Sequence, residues 1–403
     1  MFLKTLIDRN PRFIEAAMAL HQAGEIPPNS YVIDLDQVEA NARLFSEEAA
    51  KYGLKTFAMT KQVSRHSGFC AAVMRGGIDR SVAVDMDCAI ACHRAGLRTG
   101  HLGHLVQVPQ RDAGYAAAHL KPDYWTVFTM DKAREAAQAA SEAGRVQNIL
   151  ARIQTGGDTF YRGHEGGFAA EDIVKIADEI DALDGARFAG ITTFPALLFD
   201  LDSNSVKPTQ NLATLSEALK ALADAGRTDI EVNAPGTNSM ALLPALAEAG
   251  ATQVEPGNAL HGTTPLHAVK DLPEGPAVLY LSEVSHQHKD EAYCFGGGLY
   301  IDPVFPAYDV QALVSATPTS APDALYKVDI PEYKAIDYYG MINTKDRPVP
   351  NTGDTVVFGF RGQSFVTRAN AVSVSGVASG TPKVTSIENI FGQPVDRHEG
   401  YSA

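Results

Sequence analysis

The run Leu54-Lys55-Thr56-Phe57-Ala58-Met59-Thr60-Lys61-Gln62 decides how the chain is read. A short apolar segment carrying an aromatic residue stops on a lysine, and a helical pattern follows from about Gly68. That is strand, loop, helix. A lysine at the mouth of a buried strand is costly to desolvate, so its pKa tends to fall and its amine becomes nucleophilic. Lys61 therefore has the setting of a covalent-catalysis lysine, with a surface lysine at a strand end as the plainer alternative.

The same alternation extends in both directions. Phe13, Ile14, Ala17 and Leu20 recur at helical spacing, and the pattern ends at Gly24 and the turn Pro27-Pro28. Strand-like runs are predicted at Tyr31–Leu35, Lys55–Met59, Ser81–Val84, His101–Val108, Tyr124–Phe128, Asn148–Ile153, Phe188–Thr193, Ile230–Asn233 and Gln253–Glu255. Ala- and Leu-rich helical stretches separate most of them. Alternating strand and helix implies parallel strands with crossover helices. Nine candidates lie close to the eight of a (β/α)₈ TIM barrel, with a doubly wound open sheet as the competing architecture.

After about Pro265 the texture changes. Val, Tyr, Phe, Gly and Thr dominate, and runs such as Val278–Val284, Ala292–Phe295 and Thr355–Phe360 read as strands between turns. The expected organisation is an α/β barrel over 30–265, an all-β C-terminal domain over 266–403, and an N-terminal helix over 1–29 packing on one or the other.

With 403 residues, two domains are expected, and 45% hydrophobic with 20% charged residues is ordinary for a soluble protein. A net charge of -14 disfavours nucleic acid or an anionic membrane as the main partner. No apolar run approaches a membrane span, and the N-terminus lacks a basic-then-apolar signal pattern. Cys70, Cys88, Cys92 and Cys294 form no CxxC pair, which fits a reducing cytoplasm. Cys88, Cys92 and His93 read as a packed helix face rather than a metal site.

In a barrel of this kind chemistry sits at the C-terminal strand ends. Those positions hold Lys61, the turn Asp85-Met86-Asp87, the loop Thr155–Gly163 with Arg162, Thr192-Thr193-Phe194-Pro195, Asn233–Ser239 and Glu255–Thr263. Pro235-Gly236-Thr237-Asn238-Ser239 leads into a helical pattern, where free backbone N–H groups favour a phosphate; a plain N-cap is the equal alternative. Gly257 and Asn258 allow close backbone approach on the adjacent strand end.

These residues resemble the alanine-racemase-like enzymes of pyridoxal phosphate (PLP) fold type III, a PLP-binding barrel followed by a β-domain, and are most similar to their YhfX-like branch. The likeness runs nearly end to end. Its markers are Met59-Thr60-Lys61-Gln62, Gly103-His104-Leu105-Val106-Gln107, Val127–Glu135, Glu255-Pro256-Gly257 and Tyr293-Cys294-Phe295-Gly296-Gly297-Gly298. The resemblance implies Lys61 as the Schiff-base lysine, Asn238 and Ser239 with Gly236 as phosphate site, Gly257 and Asn258 as second phosphate loop, and Asp85 among the cofactor residues. Arg162-Gly163 resembles the pair whose arginine meets the cofactor phenolate or a substrate carboxylate.

The departures shape the chemistry. Alanine racemases carry arginine where this chain has Glu255, whereas the Glu-Pro-Gly form resembles the basic amino-acid decarboxylases of the fold. A carboxylate there keeps the pyridine nitrogen protonated and makes the ring a stronger electron sink. The family's tyrosine four residues past the lysine is Arg65, suited to a phosphate, and the histidine of its Thr-His-Phe motif is Thr193.

The expected reaction is racemisation or epimerisation of a small amino acid by Cα proton abstraction, with Lys61 as one base. The second is expected from the early β-domain: Tyr293 or Cys294, with His286 and Tyr339 as weaker candidates and a packed core thiol as the other reading of Cys294. Alternatives are a decarboxylase, a D-amino-acid lyase, and a non-catalytic PLP carrier. His286 and His288 fall short of a closed zinc site, so no metal is expected. The β-domain implies a head-to-tail homodimer. Arg65, Arg152 and Arg162 each qualify as receptors for an anionic group, with a structural ion pair as the default for Arg152.

Overall fold

A computed structural model describes residues 1–305, 309–332 and 334–396; the end of the expected β-domain, 397–403, lies outside them. The chain divides into two compact units, each discontinuous in sequence: Arg43–Thr60 with Val73–Gly257, and Met1–Ala42 with Lys61–Ala72 and Asn258–Ala403.

The first unit is the (β/α)₈ barrel. Its parallel strands follow the order Lys55–Thr56, Gln253–Val254, Glu231–Asn233, Ala186–Thr192, Gln147–Gln154, Tyr124–Val127, Arg98–Leu102, Arg80–Ala83 and Ala58–Met59. The first and last of these are two halves of one strand, interrupted at Phe57, so eight strands close the ring. Phe57 keeps its place in the ladder, donating its N–H to the Val254 carbonyl at 3.0 Å. Its ring fills the space beside Gly100, where a Cβ would lie 2.4 Å from it. Gly190 likewise lets two strands approach, since a Cβ there would meet the Glu231 carbonyl at 2.0 Å.

Helices cover the barrel with small side chains. Met130–Glu142 buries Ala133, Ala136, Ala137 and Ala140, spaced i, i+3, i+4, i+7 on one face. Thr129 caps it, accepting from Lys132 N–H at 3.3 Å.

The second unit is built on a nine-stranded sheet in the order Glu291–Phe295, Tyr339–Asn343, Leu325–Asp329, Gln311–Ser315, Thr355–Phe358, Val278–His288, Ser30–Asp34, Asn370–Ser375 and Lys383–Glu388. Glu291–Phe295 also pairs with Val278–His288, which closes six of these strands on themselves. Two expectations are corrected here. The ninth predicted strand, at Tyr31–Leu35, belongs to this sheet: Ser30–Asp34 pairs antiparallel with Val278–His288 and parallel with Asn370–Ser375. It reads as a barrel strand because a fully buried strand carries no period that tells the two sheets apart. The N-terminal pattern is two helices, Phe2–Arg9 and Pro11–Gln22, broken at Asn10-Pro11 because proline starts a helix readily and cannot continue one. They pack on the β-domain, where Leu6, Phe13, Ile14 and Met18 join Val32, Leu279, Leu281, Val357 and Val372 in one core.

Candidate active site

Within the barrel, strand ends bring one buried polar cluster together. His101 lies on Arg98–Leu102, Thr126 on Tyr124–Val127, Asn233 ends Glu231–Asn233, and Glu255 directly follows Gln253–Val254. Glu255 Oε1 is 2.6 Å from His101 Nδ1 and accepts from Asn233 Nδ2 at 2.9 Å. His101 Nε2 lies 2.6 Å from Thr126 Oγ1, and Thr192 donates to Asn233 Oδ1 at 2.8 Å. A carboxylate only accepts, so His101 Nδ1 is the donor toward it.

Gly103 turns the chain after the His101 strand. Its φ of +80° is open to glycine, and a Cβ would meet the Thr126 carbonyl at 2.7 Å. The turn sets His104 beside His101, ring centres 5.2 Å apart, with His104 Nε2 3.4 Å from Glu255 Oε2. Burial alone raises the Glu255 carboxyl, but His104 and then His101 outweigh it and hold it below the ordinary glutamate value. Glu255 is thus a buried carboxylate whose Oε2 has no hydrogen-bond partner among the described residues.

The next strand end carries a second set of orphaned groups. Asn238 and Ser239 are buried, and neither Asn238 Nδ2 nor Ser239 Oγ meets a hydrogen-bond partner among the described residues. Asn238 Oδ1 accepts from Gly236 N–H at 2.9 Å, which fixes the amide with its NH₂ turned away. Gly236 serves chain approach, since a Cβ there would sit 2.5 Å from the Leu197 carbonyl. Ser239 is followed by a 3-10 turn, Met240–Leu242, before the short helix Leu243–Glu248, rather than by the continuous helix expected.

Other expected residues fall elsewhere. Asp85 caps the helix Met86–Arg94, accepting from Cys88 N–H at 2.7 Å. Arg162 is exposed. Cys88 and Cys92 face Thr60 Oγ1, at 3.7 and 3.1 Å, while His93 is exposed, so the trio is a packed face with no shared site. Arg152 corrects the default assigned to it: this fully buried arginine forms no ion pair among the described residues.

In the second unit, Lys61 opens the 3-10 turn Lys61–Val63 and is half-buried, its Nζ 5.2 Å from the centre of the Phe365 ring. Ser64 and Arg65 follow in the left-handed region, with φ of +59° and +56°. Two consecutive left-handed residues without glycine are strained and need outside support. Ser364 supplies it, with its Oγ 2.6 Å from Ser64 Oγ and 3.1 Å from the Gln62 carbonyl, to which it donates. Arg65 donates to the Ile390 carbonyl at 2.9 Å. Asn258 Oδ1 has no hydrogen-bond partner among the described residues.

The two expected second bases differ sharply. Cys294 is fully buried, and burial pushes its thiol up to about 12, so the packed-thiol reading is the one that fits. Tyr293 is half-exposed and stacks on His286 at 4.6 Å, with Tyr339 edge-on at 6.2 Å. Its hydroxyl donates to Glu291 Oε2 at 2.9 Å, which raises its pKa. Among the described residues, the group of three metal-ligating side chains is His101, His104 and Glu255; His286 and His288 join none.

Sequence reasoning singled out neither His101 nor Thr126, and named His104 and Asn233 only within longer stretches, without a role. Reading a strand over His101–Val108 placed both histidines inside it; the signal available was Gly103 between them, which ends the strand at Leu102.

The family model "Alanine racemase, N-terminal domain" matches residues 33–265, more than half of the chain, and "YhfX-like, C-terminal domain" matches 279–384. "Uncharacterized protein YhfX" of Escherichia coli (strain K12) is 40% identical over 389 residues, covering 95% of this chain and 97% of its own. Among solved structures, the D-threonine aldolase from Filomicrobium marinum is similar at a TM-score of 0.67 and 16% identity, covering 92% of this chain and 96% of its own. The alanine racemase of Clostridium difficile 630 gives 0.62 and 14%, covering 90% and 98%. The D-threo-3-hydroxyaspartate dehydratase from Delftia sp. HT23 gives 0.64 and 17%, covering 89% and 97%. Those identities show the fold alone. Among the described residues no helix is long and apolar enough to cross a membrane. The chain belongs to the alanine-racemase-like family of fold type III, with a YhfX-like C-terminal domain.

Proposed function

We propose that this protein is a pyridoxal-phosphate-dependent amino-acid racemase or epimerase that breaks the Cα–H bond of its substrate. The observation that carries the reading is the buried Glu255 carboxylate, held ionised by two histidines with one oxygen unsatisfied. That oxygen suits a pyridinium N–H, and the unpartnered Asn238 Nδ2 and Ser239 Oγ suit a phosphate. Both fit the cofactor.

When bound, the cofactor supplies an electron sink conjugated to Cα. Glu255 holds a proton on the ring nitrogen, and His101 and His104 keep Glu255 charged. Asn238 and Ser239 donate to the phosphate. Lys61, matching the family's lysine, anchors the cofactor and carries a proton at one face of Cα. Tyr293 is our candidate for the opposite face. A head-to-tail homodimer in the cytoplasm belongs to this reading, because in the family the β-domain of one subunit closes the other's site.

One observation favours a second reading. Cys294 is sealed and Tyr293 is held above its ordinary pKa, so neither of the two leading candidates stands deprotonated at neutral pH to act as second base. A D-amino-acid lyase, like the aldolase and dehydratase that share the fold, needs no second base at Cα.

The test is incubation of the cofactor-loaded protein with L- and D-amino acids in D₂O, read by NMR and chiral chromatography, with Lys61→Ala as control. Deuterium at Cα together with the opposite enantiomer is expected. Release of an aldehyde or ammonia selects the lyase, carbon dioxide the decarboxylase. Failure to bind the cofactor overturns both.

A further inference from the structure

Arg152 lies on the barrel strand Gln147–Gln154, opposite Thr192, with its side chain wholly removed from solvent. Its guanidinium carbon is 4.6 Å from the centre of the Phe128 ring and 5.6 Å from that of Phe160. Nη2 donates to the His164 carbonyl at 2.5 Å and the Phe194 carbonyl at 3.4 Å. Among the described residues Nε and Nη1 have no hydrogen-bond partner, and no carboxylate pairs with the group. Burial alone lowers its pKa to about 10, which leaves it charged at neutral pH.

A buried arginine is ordinarily held by a carboxylate, because an unpaired charge in a dry site is strongly unfavourable. Two aromatic faces and two carbonyls compensate in part. The remaining donors ask for an anion. The group also sits beside the cluster at Glu255: the carbonyl it meets is that of Phe194, whose ring packs edge-on against His104 at 5.7 Å. In a chain of net charge -14, a buried cation with no counter-ion is a local reversal of sign.

We infer that Arg152, and not Arg162, is the oxyanion receptor of the barrel: its guanidinium receives a carboxylate of the amino-acid substrate beside Phe128 and Phe160. This rests on the proposed function for the source of the carboxylate, and on this chain alone for the site. The cofactor's phenolate oxygen is the same chemistry from a second source.

The test separates the sources and also separates this inference from the proposed function. Cofactor-free full-length protein is titrated with acetate and with succinate at constant ionic strength, following Trp125, the sole tryptophan, and the melting temperature. Saturable binding is expected for the native chain, at least tenfold weaker binding for Arg152→Gln, intermediate binding for Arg152→Lys, and native binding for Arg162→Gln. Without added anion, Arg152→Gln should melt no lower than the native protein, whereas an arginine with a purely structural role would lower the melting temperature on removal. In the loaded protein, the pH midpoint of the cofactor's absorption band is compared. A midpoint raised only by the Arg152 substitution, with carboxylate affinity unchanged, supports the receptor with the phenolate as its anion. Native carboxylate affinity together with a native midpoint in Arg152→Gln overturns the inference. If Arg152→Gln fails to fold, Arg152→Lys decides by the same two readouts. Carboxylate binding that follows Arg152 in a protein that takes up no cofactor leaves the receptor standing and removes the proposed function.

Discussion

Replacing Glu255 with glutamine removes a charge while keeping the shape. In the native protein Oε1 takes hydrogen bonds from His101 at 2.6 Å and Asn233 at 2.9 Å, and Oε2 faces His104 at 3.4 Å. The amide oxygen retains the first two as neutral bonds, at a loss of about 1 kcal/mol each. Removing a fully buried charge returns a comparable sum in desolvation, so Glu255→Gln should change stability by no more than roughly 1–2 kcal/mol. On the proposed function, activity is hit harder, because an amide nitrogen would not hold a proton on the pyridine nitrogen. Losing one charge-assisted contact at the reacting system is worth about 1.5–3 kcal/mol, or roughly ten- to a hundredfold in rate. The assay is deuterium wash-in at Cα beside a thermal melt and the absorption spectrum of bound cofactor. Native exchange rate and native spectrum in Glu255→Gln would refute the reasoning. The variant should also flatten the acid limb of stability. A carboxyl whose folded pKa is lowered stabilises the fold above the unfolded value, near 4.5, and that contribution disappears as pH falls through the folded pKa.

Further outcomes follow from groups in the second unit. His261 is held down to about 3 by burial and then by His267, so it is neutral in the fold and strips stability as pH falls from 6.5 towards 3. His261→Gln should lose part of that slope in melts between pH 7 and 4; an unchanged slope would count against it. Cys294→Ala should leave Cα exchange within about threefold and cost about 1 kcal/mol, and the native thiol should resist alkylation until denaturant is added. Tyr293→Phe should slow exchange from one enantiomer at least tenfold and spare the other, which chiral chromatography resolves; equal effects on both would remove it as second base.

The barrel was legible because its evidence is periodic: parallel strands alternate with helices whose alanines recur every three and four residues, as at Ala133, Ala136, Ala137 and Ala140. Lys61, Asn238, Ser239 and Glu255 could be picked out as candidates because each stands where a strand gives way to a loop. What was not legible depends on partners far away in sequence. Ser30–Asp34 is buried on both faces, so nothing local says whether it pairs with barrel or β-domain. Arg162 looked functional through the glycine beside it, while Arg152 looked structural through its place inside a strand. Our inference exchanges these roles, and it rests on the absence of a carboxylate around Arg152 among the described residues, which depends on chain segments far from it in sequence.

The carboxylate and the histidines make one electrostatic unit. A glutamate buried at a strand end, left alone, would take up a proton, because burial is the largest influence on it and raises its pKa. It would then offer the pyridine nitrogen a hydrogen bond without charge. His104 and His101 reverse that outcome, and Thr126 fixes the His101 ring from behind at 2.6 Å. An arginine at position 255 would be repelled by the same two rings whenever they carried protons. The histidines at 101 and 104 are therefore the counterpart of the change from arginine to Glu255, and the two features stand or fall together. In His104→Gln the balance at Glu255 shifts back toward burial, which predicts the spectrum and the reduced exchange of Glu255→Gln with the carboxylate still in place.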